Sequence, residues 1–419
     1  MSSSLPYSMD FAVQHSALPD GLKTTNIVLS PVNGTTFGPS SVIQFDYYNR
    51  GLIDPTTIYL RYKYTLTAAL NNVEMIGTPI YQPFIRNETI IGSQVVETVN
   101  GYNQVCNLLT NLSTDVAAKY GLQSSYGFGN NATLTPAMSL MDGRQMVINE
   151  VGSFSGLLPG ILSNAEKMIP AFCCPGLRTQ LTMDTLANIF TTNVLPTGFV
   201  LSNVELCYTM VDAGQAYENY VRSLGPFEIK TQTVANTSIA LAAGTAGSVS
   251  LPFNVRLASV KAAFVLFTGT TANSLNKTND WYDPTSSNGE LSINIGSQQF
   301  PQRPLSTLNN KNGILMALRN ATGSIYDRNN TLSINAIEWN KQGNDATTFN
   351  EPVKFIFNIN LERIHTPAML TGISTENSII SVLLQTNTAT AQLHNVHLVL
   401  AHDVFITVDP NTRQVNTKQ

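Results

Sequence analysis

Apolar and polar residues alternate with period two in short runs along most of this chain of 419 residues. Between Ile58 and Leu66, the residues Ile58, Leu60, Tyr62, Tyr64 and Leu66 share one face, and Tyr59, Arg61, Lys63 and Thr65 share the other. Val353, Phe355, Phe357, Ile359 and Leu361 alternate in the same way with Lys354, Ile356, Asn358, Asn360 and Glu362. Successive side chains of a strand point to opposite faces, so the pattern predicts strands with one face buried. Leu291, Ile293 and Ile295 form a shorter run, as do Leu332, Ile334 and Ala336; further strands are predicted at 27–29, 42–48, 146–149, 199–211, 255–267 and 394–408. Asn-Gly or Asp-Gly pairs beginning at Asn33, Asn100, Asp142, Asn288 and Asn312 punctuate the runs. Such pairs supply the positive φ of tight turns.

Helical spacing is sparse. Val105, Leu108, Leu109, Leu112 and Val116 predict a helix from about Asn103 to Tyr120, and a second covers Gly214 to Leu224 before Gly225-Pro226 stops it. The residue before proline is pushed out of the helical region, which makes this pair a natural boundary. Many short strands with few helices predict an all-β chain of two tandem eight-stranded antiparallel units. The expected layout is an N-terminal arm at 1–24, a first unit at 25–225, a second at 226–412 and a C-terminal tail at 413–419. A short repeat supports the tandem reading. Leu201 to Leu206 reads L-x-N-V-x-L, and Leu393 to Leu398 reads the same near the end of the second half.

Composition narrows the role. Charged residues make up 12% of the chain, about half of the roughly 25% usual in soluble domains, while 43% are hydrophobic. Disordered chains combine low hydrophobicity with high charge, so disorder is excluded. A net charge of -4 without any Lys/Arg run argues against a polycation that neutralises phosphates, and no sequence-specific nucleic-acid binding is expected. The N-terminus lacks the basic and apolar regions of a secretory signal, and no apolar stretch is long enough for a membrane helix. Cys106, Cys173, Cys174 and Cys207 are too irregular for a disulfide framework and read as reduced structural thiols from a reducing cytosol.

Candidate chemistry is scarce. His394, His397, His402 and Asp403 cluster in the C-terminal segment, but on a strand His394 and His402 point one way and His397 and Asp403 the other. Eight rises of roughly 3.3 Å separate the first two, too far for one tetrahedral ion. Gly152-Ser153-Phe154-Ser155-Gly156 has the frame of a nucleophile elbow with phenylalanine where serine is needed. There is no phosphate-binding glycine loop, and Glu362, Asp283 and Asp403 stand apart in sequence. Sequons at Asn33, Asn87, Asn111, Asn131, Asn236, Asn276, Asn320 and Asn329 follow from an Asn/Ser/Thr-rich composition. No catalytic, cofactor-binding or metal residue is assigned, no cofactor is expected, and an enzyme is the minor reading.

Ile295-Gly-Ser-Gln-Gln-Phe-Pro-Gln-Arg-Pro-Leu305, Phe357 to Arg363, the closing His397-to-Asp409 strand and the Tyr102-to-Tyr120 helix together carry a resemblance. Over roughly residues 25 to 412 the chain resembles the double jelly-roll major capsid proteins of DNA viruses, in the virophage and polinton-like branch. The resemblance implies upright jelly rolls, homotrimers of pseudo-hexagonal outline, and trimers tiling an icosahedral virion shell around a DNA genome. Implied partners are other copies of the chain, penton and minor capsid proteins, and an internal membrane; the implied location is the virion, after synthesis in a host cell without a signal peptide. Polar loops at 124–135 and 273–288 are expected on the outer face, and both termini on the inner face. The residues leave two alternatives open: a carbohydrate-binding or carbohydrate-active tandem jelly roll of bicupin or lectin type, and a trimeric fibre or adhesin module.

Overall fold

The computed structural model describes residues 22–67, 73–130, 143–146, 149–190, 195–269, 281–285, 288–322, 334, 339, 354–362, 371–387, 390, 394–412 and 414–418. The chain opens with β1 (Lys23–Leu29), β2 (Thr36–Phe37), β3 (Val42–Asp46), β4 (Leu52–Ile53), β5 (Tyr59–Thr67), β6 (Val73–Ile76), β7 (Phe84–Ile91) and β8 (Gln94–Asn100). Three helices follow, α1 (Tyr102–Ser113), α2 (Val116–Gly121) and α3 (Gln123–Tyr126). Then come β9 (Gly129–Asn130), β10 (Gly143–Met146), β11 (Val151–Leu157), β12 (Ile169–Pro170), β13 (Arg178–Met183), α4 (Leu186–Ile189) and β14 (Gly198–Asp212). Helix α5 (Gln215–Ser223) leads into β15 (Phe227–Leu241), β16 (Gly247–Phe253), β17 (Val260–Gly269), β18 (Gly289–Ile295) and β19 (Gln298–Ser306). The chain closes with α6 (Lys311–Ala321), β20 (Phe357–Asn360), β21 (Ile380–Thr386), β22 (His394–Asp409) and β23 (Gln414–Lys418).

Strand pairing separates at α5. Before it, β1, β14, β5 and β11 lie side by side in one sheet, and β3, β13, β7 and β8 in another. After it, β15, β22, β17 and β20 form one sheet, and β16, β21, β18 and β19 the other. Numbering these eight strands within each half, both halves read first, eighth, third, sixth in one sheet and second, seventh, fourth, fifth in the other. The eighth strand is central in both. β14 pairs with β1 through Leu206–Leu29 and with β5 through Leu206–Leu60, while β22 pairs along all of β15, from Val408–Phe227 to His394–Leu241.

Alternation accounts for the cores. On β5, Leu60, Tyr62, Tyr64 and Leu66 are buried while Arg61, Lys63 and Thr65 are exposed. In the first half the inner faces carry aromatic rings: Tyr62 meets Phe84 and Phe154 edge-on at 5.8 Å, and Phe190 meets Phe199 at 5.2 Å. Each such ring contributes its full burial plus a geometric gain of about 1 kcal/mol.

Four expectations need correction. The 353–361 alternation yields a strand of four residues, β20, and its polar row is solvated only at Asn360 and beyond: Lys354 and Asn358 are fully buried, with the Lys354 ammonium 4.7 Å from the Trp281 ring. Cover from elsewhere in the fold, invisible to local periodicity, buries both faces. Asn312-Gly313 is not a hairpin turn but the first turn of α6, where Asn310 Oδ1 caps the Gly313 N–H at 3.1 Å. The single helix expected from Asn103 to Tyr120 is two, because Thr114 is extended. Residues 414–418 form β23, paired with Phe405–Asp409 of β22 and burying Val415, rather than a tail. The run Leu332, Ile334, Ala336 lies outside the described residues except for Ile334, which is buried; the N-terminal arm to residue 21, residues 131–135 of one expected outer loop and most of the other, 273–288, lie outside them too.

Candidate functional site

The residues singled out for chemistry are mostly engaged in packing. Gly152 to Gly156 lies within β11, and Phe154 is buried against Tyr62 and Tyr64. A Cβ on Gly152 would stand 2.3 Å from Tyr64 Oη and one on Gly156 2.5 Å from Tyr126, so these glycines admit neighbouring rings. His402 is buried between Thr233 and Val260 on the flanking strands, and burial pushes its imidazole down to about 4 against the opposing pull of Asp403. Asp403 accepts from the Ser259 hydroxyl and Gln232 Nε2, each at 3.2 Å. Lys261, on the bulge of β17, lies 3.0 Å from Glu362 and 3.9 Å from Asp403, so two acids remote in sequence share one ammonium. Asp283 lies 3.6 Å from Lys311. Among the described residues no three His, Cys, Asp or Glu side chains converge as metal ligands would. All four cysteines are free and buried, and burial holds the Cys106 and Cys174 thiols protonated, the latter pushed up to about 12. Asn87, Asn111 and Asn236 are buried, leaving no room for a glycan at three of the sequons.

The more organised polar region is where the two halves meet. Glu97 on β8 is buried and accepts from the Ile161 N–H at 2.9 Å, from the Thr89 hydroxyl at 3.1 Å and from the Thr233 hydroxyl of the second half. Desolvation raises its carboxyl above the usual range, and the three donors oppose that rise. The Thr231 hydroxyl donates to the Ile161 carbonyl at 2.5 Å, Asn164 Nδ2 to the Gln232 carbonyl at 3.0 Å, and Asn236 Nδ2 to the Asn100 carbonyl at 2.9 Å. Lys230 pairs with Glu166 at 3.2 Å, and β23 lies against β8. Sequence reading missed this seam because its partners lie far apart in the chain. One signal was present: Glu97 falls in the same alternating row as Val99.

Two clefts adjoin these elements. One, of about 360 Å³, opens in the seam between α1 and β22 and includes His397, whose ring nitrogens are buried without partners. Burial pushes that imidazole down to about 4. The other, of about 880 Å³, runs between α1, α3 and the outer face of the β1–β14–β5–β11 sheet, bordered by exposed Val28 and Leu157.

The outer faces differ in charge. On the second and seventh strands of the first half, Asp46 lies 3.6 Å from Arg178. On the corresponding β16 and β21, the outward residues are Ser248, Ser250, Pro252, Ser381, Leu383 and Gln385, none of them charged.

No family model matches the chain, and no curated protein matches it. Solved structures do. VP54 of PBCV-1, fitted into a reconstruction of the virophage Sputnik, superposes with a TM-score of 0.65 at 9% identity, covering 98% of this chain and 100% of that one. The Faustovirus major capsid protein gives 0.57 at 8% identity, covering 96% and 93%, and the mavirus major capsid protein 0.56 at 11%, covering 99% and 94%. The fold is the double jelly roll. Each set of eight strands is thus one roll; the first L-x-N-V-x-L segment lies in the eighth strand of its roll, as do the described residues His394 to Leu398 of the second. Their local geometry differs. In the first jelly roll Asn203 has φ 47° at a register shift, whereas Asn395 and Val396 of the second pair regularly with Thr268 and Phe267.

Proposed function

We propose that this chain is the major capsid protein of an icosahedral virus and acts by self-assembly, with no active site. The observation that supports this most is the end-to-end match to capsid proteins: both rolls are present, in one order, with almost nothing left over on either side. Two rolls per chain and three chains per unit give six similar lobes, the pseudo-hexagonal tile of a closed shell. The first roll runs from β1, which begins at Lys23 rather than at the expected 25, to residue 225, and the second begins at 226, extending through β23 to Lys418. Partners in this role are other copies of the chain, then penton and minor capsid proteins, with an internal membrane beneath the shell and DNA enclosed; the location is the virion. Among the described residues no helix is long and apolar enough to cross a membrane.

Low charge fits this role, because obligate interfaces deplete charged residues at their centres. The uncharged β16–β21 face is our candidate for a lateral contact. A carbohydrate site inside a jelly roll gains no support, since the described inner faces are filled by apolar side chains such as Tyr62, Phe199, Leu291 and Val382. Light scattering with negative-stain microscopy of the full chain tests the reading. The expected result is three times the 45.5 kDa chain mass and six-lobed particles. A stable monomer overturns it.

A further inference from the structure

The larger cleft, of about 880 Å³, lies over the outer face of the β1–β14–β5–β11 sheet. An antiparallel sheet with one face on the core normally turns polar residues outward. Here Val28, Cys207, Tyr59 and Leu157 stand in register across the four strands, one from each. Val28 and Leu157, at the ends of this row, are 44% and 53% exposed. Leu109 of α1 and Leu122, just before α3, line the cleft as well, and among the described residues no Lys, Arg, Asp or Glu does. An apolar, uncharged hollow of this size marks surface that something covers.

The sequence ahead of β1 has the matching chemistry. Leu5, Tyr7, Met9, Phe11 and Val13 alternate with Pro6, Ser8, Asp10, Ala12 and Gln14, the pattern of an extended segment with one apolar face. Asp10, the charged residue of this run, falls in the polar row. Leu18-Pro19-Asp20-Gly21 then predicts a reverse turn: proline presets φ, aspartate bonds the backbone ahead of it and glycine supplies a positive φ. β1 begins directly after it, at Lys23, and is itself a wall of the cleft through Asn26, Ile27 and Val28. A turn at 18–21 sends the preceding segment back along β1 rather than away from it. Reach is ample, since nine extended residues cover roughly 30 Å and a row across four strands is about 15 Å wide.

We propose that the occupant of this cleft is residues 5–13 of the same chain, laid back over the sheet with Leu5, Tyr7, Met9, Phe11 and Val13 turned into it. Chain continuity favours the chain's own arm over a separate partner, because the arm is tethered to a wall of the cleft and closing so short a loop costs little entropy. The arm then withholds the row from Val28 to Leu157 from other molecules, and its displacement bares an apolar surface on the first jelly roll.

Hydrogen exchange read by mass spectrometry on full-length chains tests the placement. Amides of 153–159 and 122–127 should exchange about tenfold more slowly in the native chain than in Tyr7→Asp with Phe11→Asp. The β3–β13–β7–β8 sheet should exchange alike in both, since the substitutions lie in the arm and leave the core untouched. Tyr7→Phe with Phe11→Leu keeps the row apolar and should keep the protection. Equal exchange at 153–159 and 122–127 in the native and aspartate chains overturns the proposal; so does loss of protection in the apolar variant. Mixing an isotope-labelled aspartate chain with unlabelled native copies decides whose arm it is. Protection that stays lost in the labelled chain supports the chain's own arm, whereas protection restored by native copies overturns that assignment in favour of a neighbour's. Exchange is scored per chain, so the result is decided separately from trimer formation.

Discussion

Gly152 and Gly156 bracket Phe154 because β11 has to pass under two tyrosine rings, and any Cβ there would displace Tyr64 or Tyr126. Gly152→Ala should therefore cost about 2 kcal/mol in chemical denaturation, in the range of an overpacked core. His402 sets a pH dependence. Its folded value lies near 4, below the ordinary value of about 6.5, so the unfolded chain takes up the proton first as pH falls. The stability is present above about pH 6.5 and is lost as pH drops towards 4. Melting curves across that window should show Tm falling with pH, with a shallower slope in His402→Gln. Both roles depend on neighbours remote in sequence. The sequence frame around Phe154 excluded a nucleophile, but nothing local shows Tyr64 above Gly152, and strand parity for His402 does not reveal a lid on each face.

Among the elements, those with clean alternation or a long apolar run were readable, and those whose polar residues are buried by remote partners were not. β5, β14 and β22 carry clean alternation or long apolar runs and fall where the pattern places them. β20 shrinks to four residues because Lys354 and Asn358 are buried by partners that periodicity cannot register. β23 is five mostly polar residues, and its reason to exist lies elsewhere. β17 stops pairing with β22 at Val260–His402, and β23 takes up the ladder from Phe405 onward. In the first roll β4 fills the matching slot on β14, after β5 ends at Cys207. A chain ending at Pro410 should lose about 2 kcal/mol, from the Val415 side chain and the bared edge of β22, measured by denaturant titration against the full chain. The seam was equally hidden, since Glu97, Thr233 and Ile161 come from three distant segments.

For the whole molecule, the low charge read from composition is unevenly spread, with the first roll's outer face bearing an Asp46–Arg178 pair and the second's β16–β21 face none. Placing lysines there, as in Ser250→Lys with Ser381→Lys, should leave monomer stability within about 0.5 kcal/mol while lowering the fraction of the proposed trimer in light scattering. Unchanged trimers would move the lateral contact to another face. The central place of β14 and β22 has a further consequence, for synthesis. In each roll the eighth strand, made after the other seven, belongs in the middle of its sheet, between the first and the third. A ribosome that has finished β21 therefore holds β15 and β17 with their facing edges open. That gap closes when β22 emerges, so each newly made chain passes through a stage in which its own missing strand could be replaced by a neighbour's.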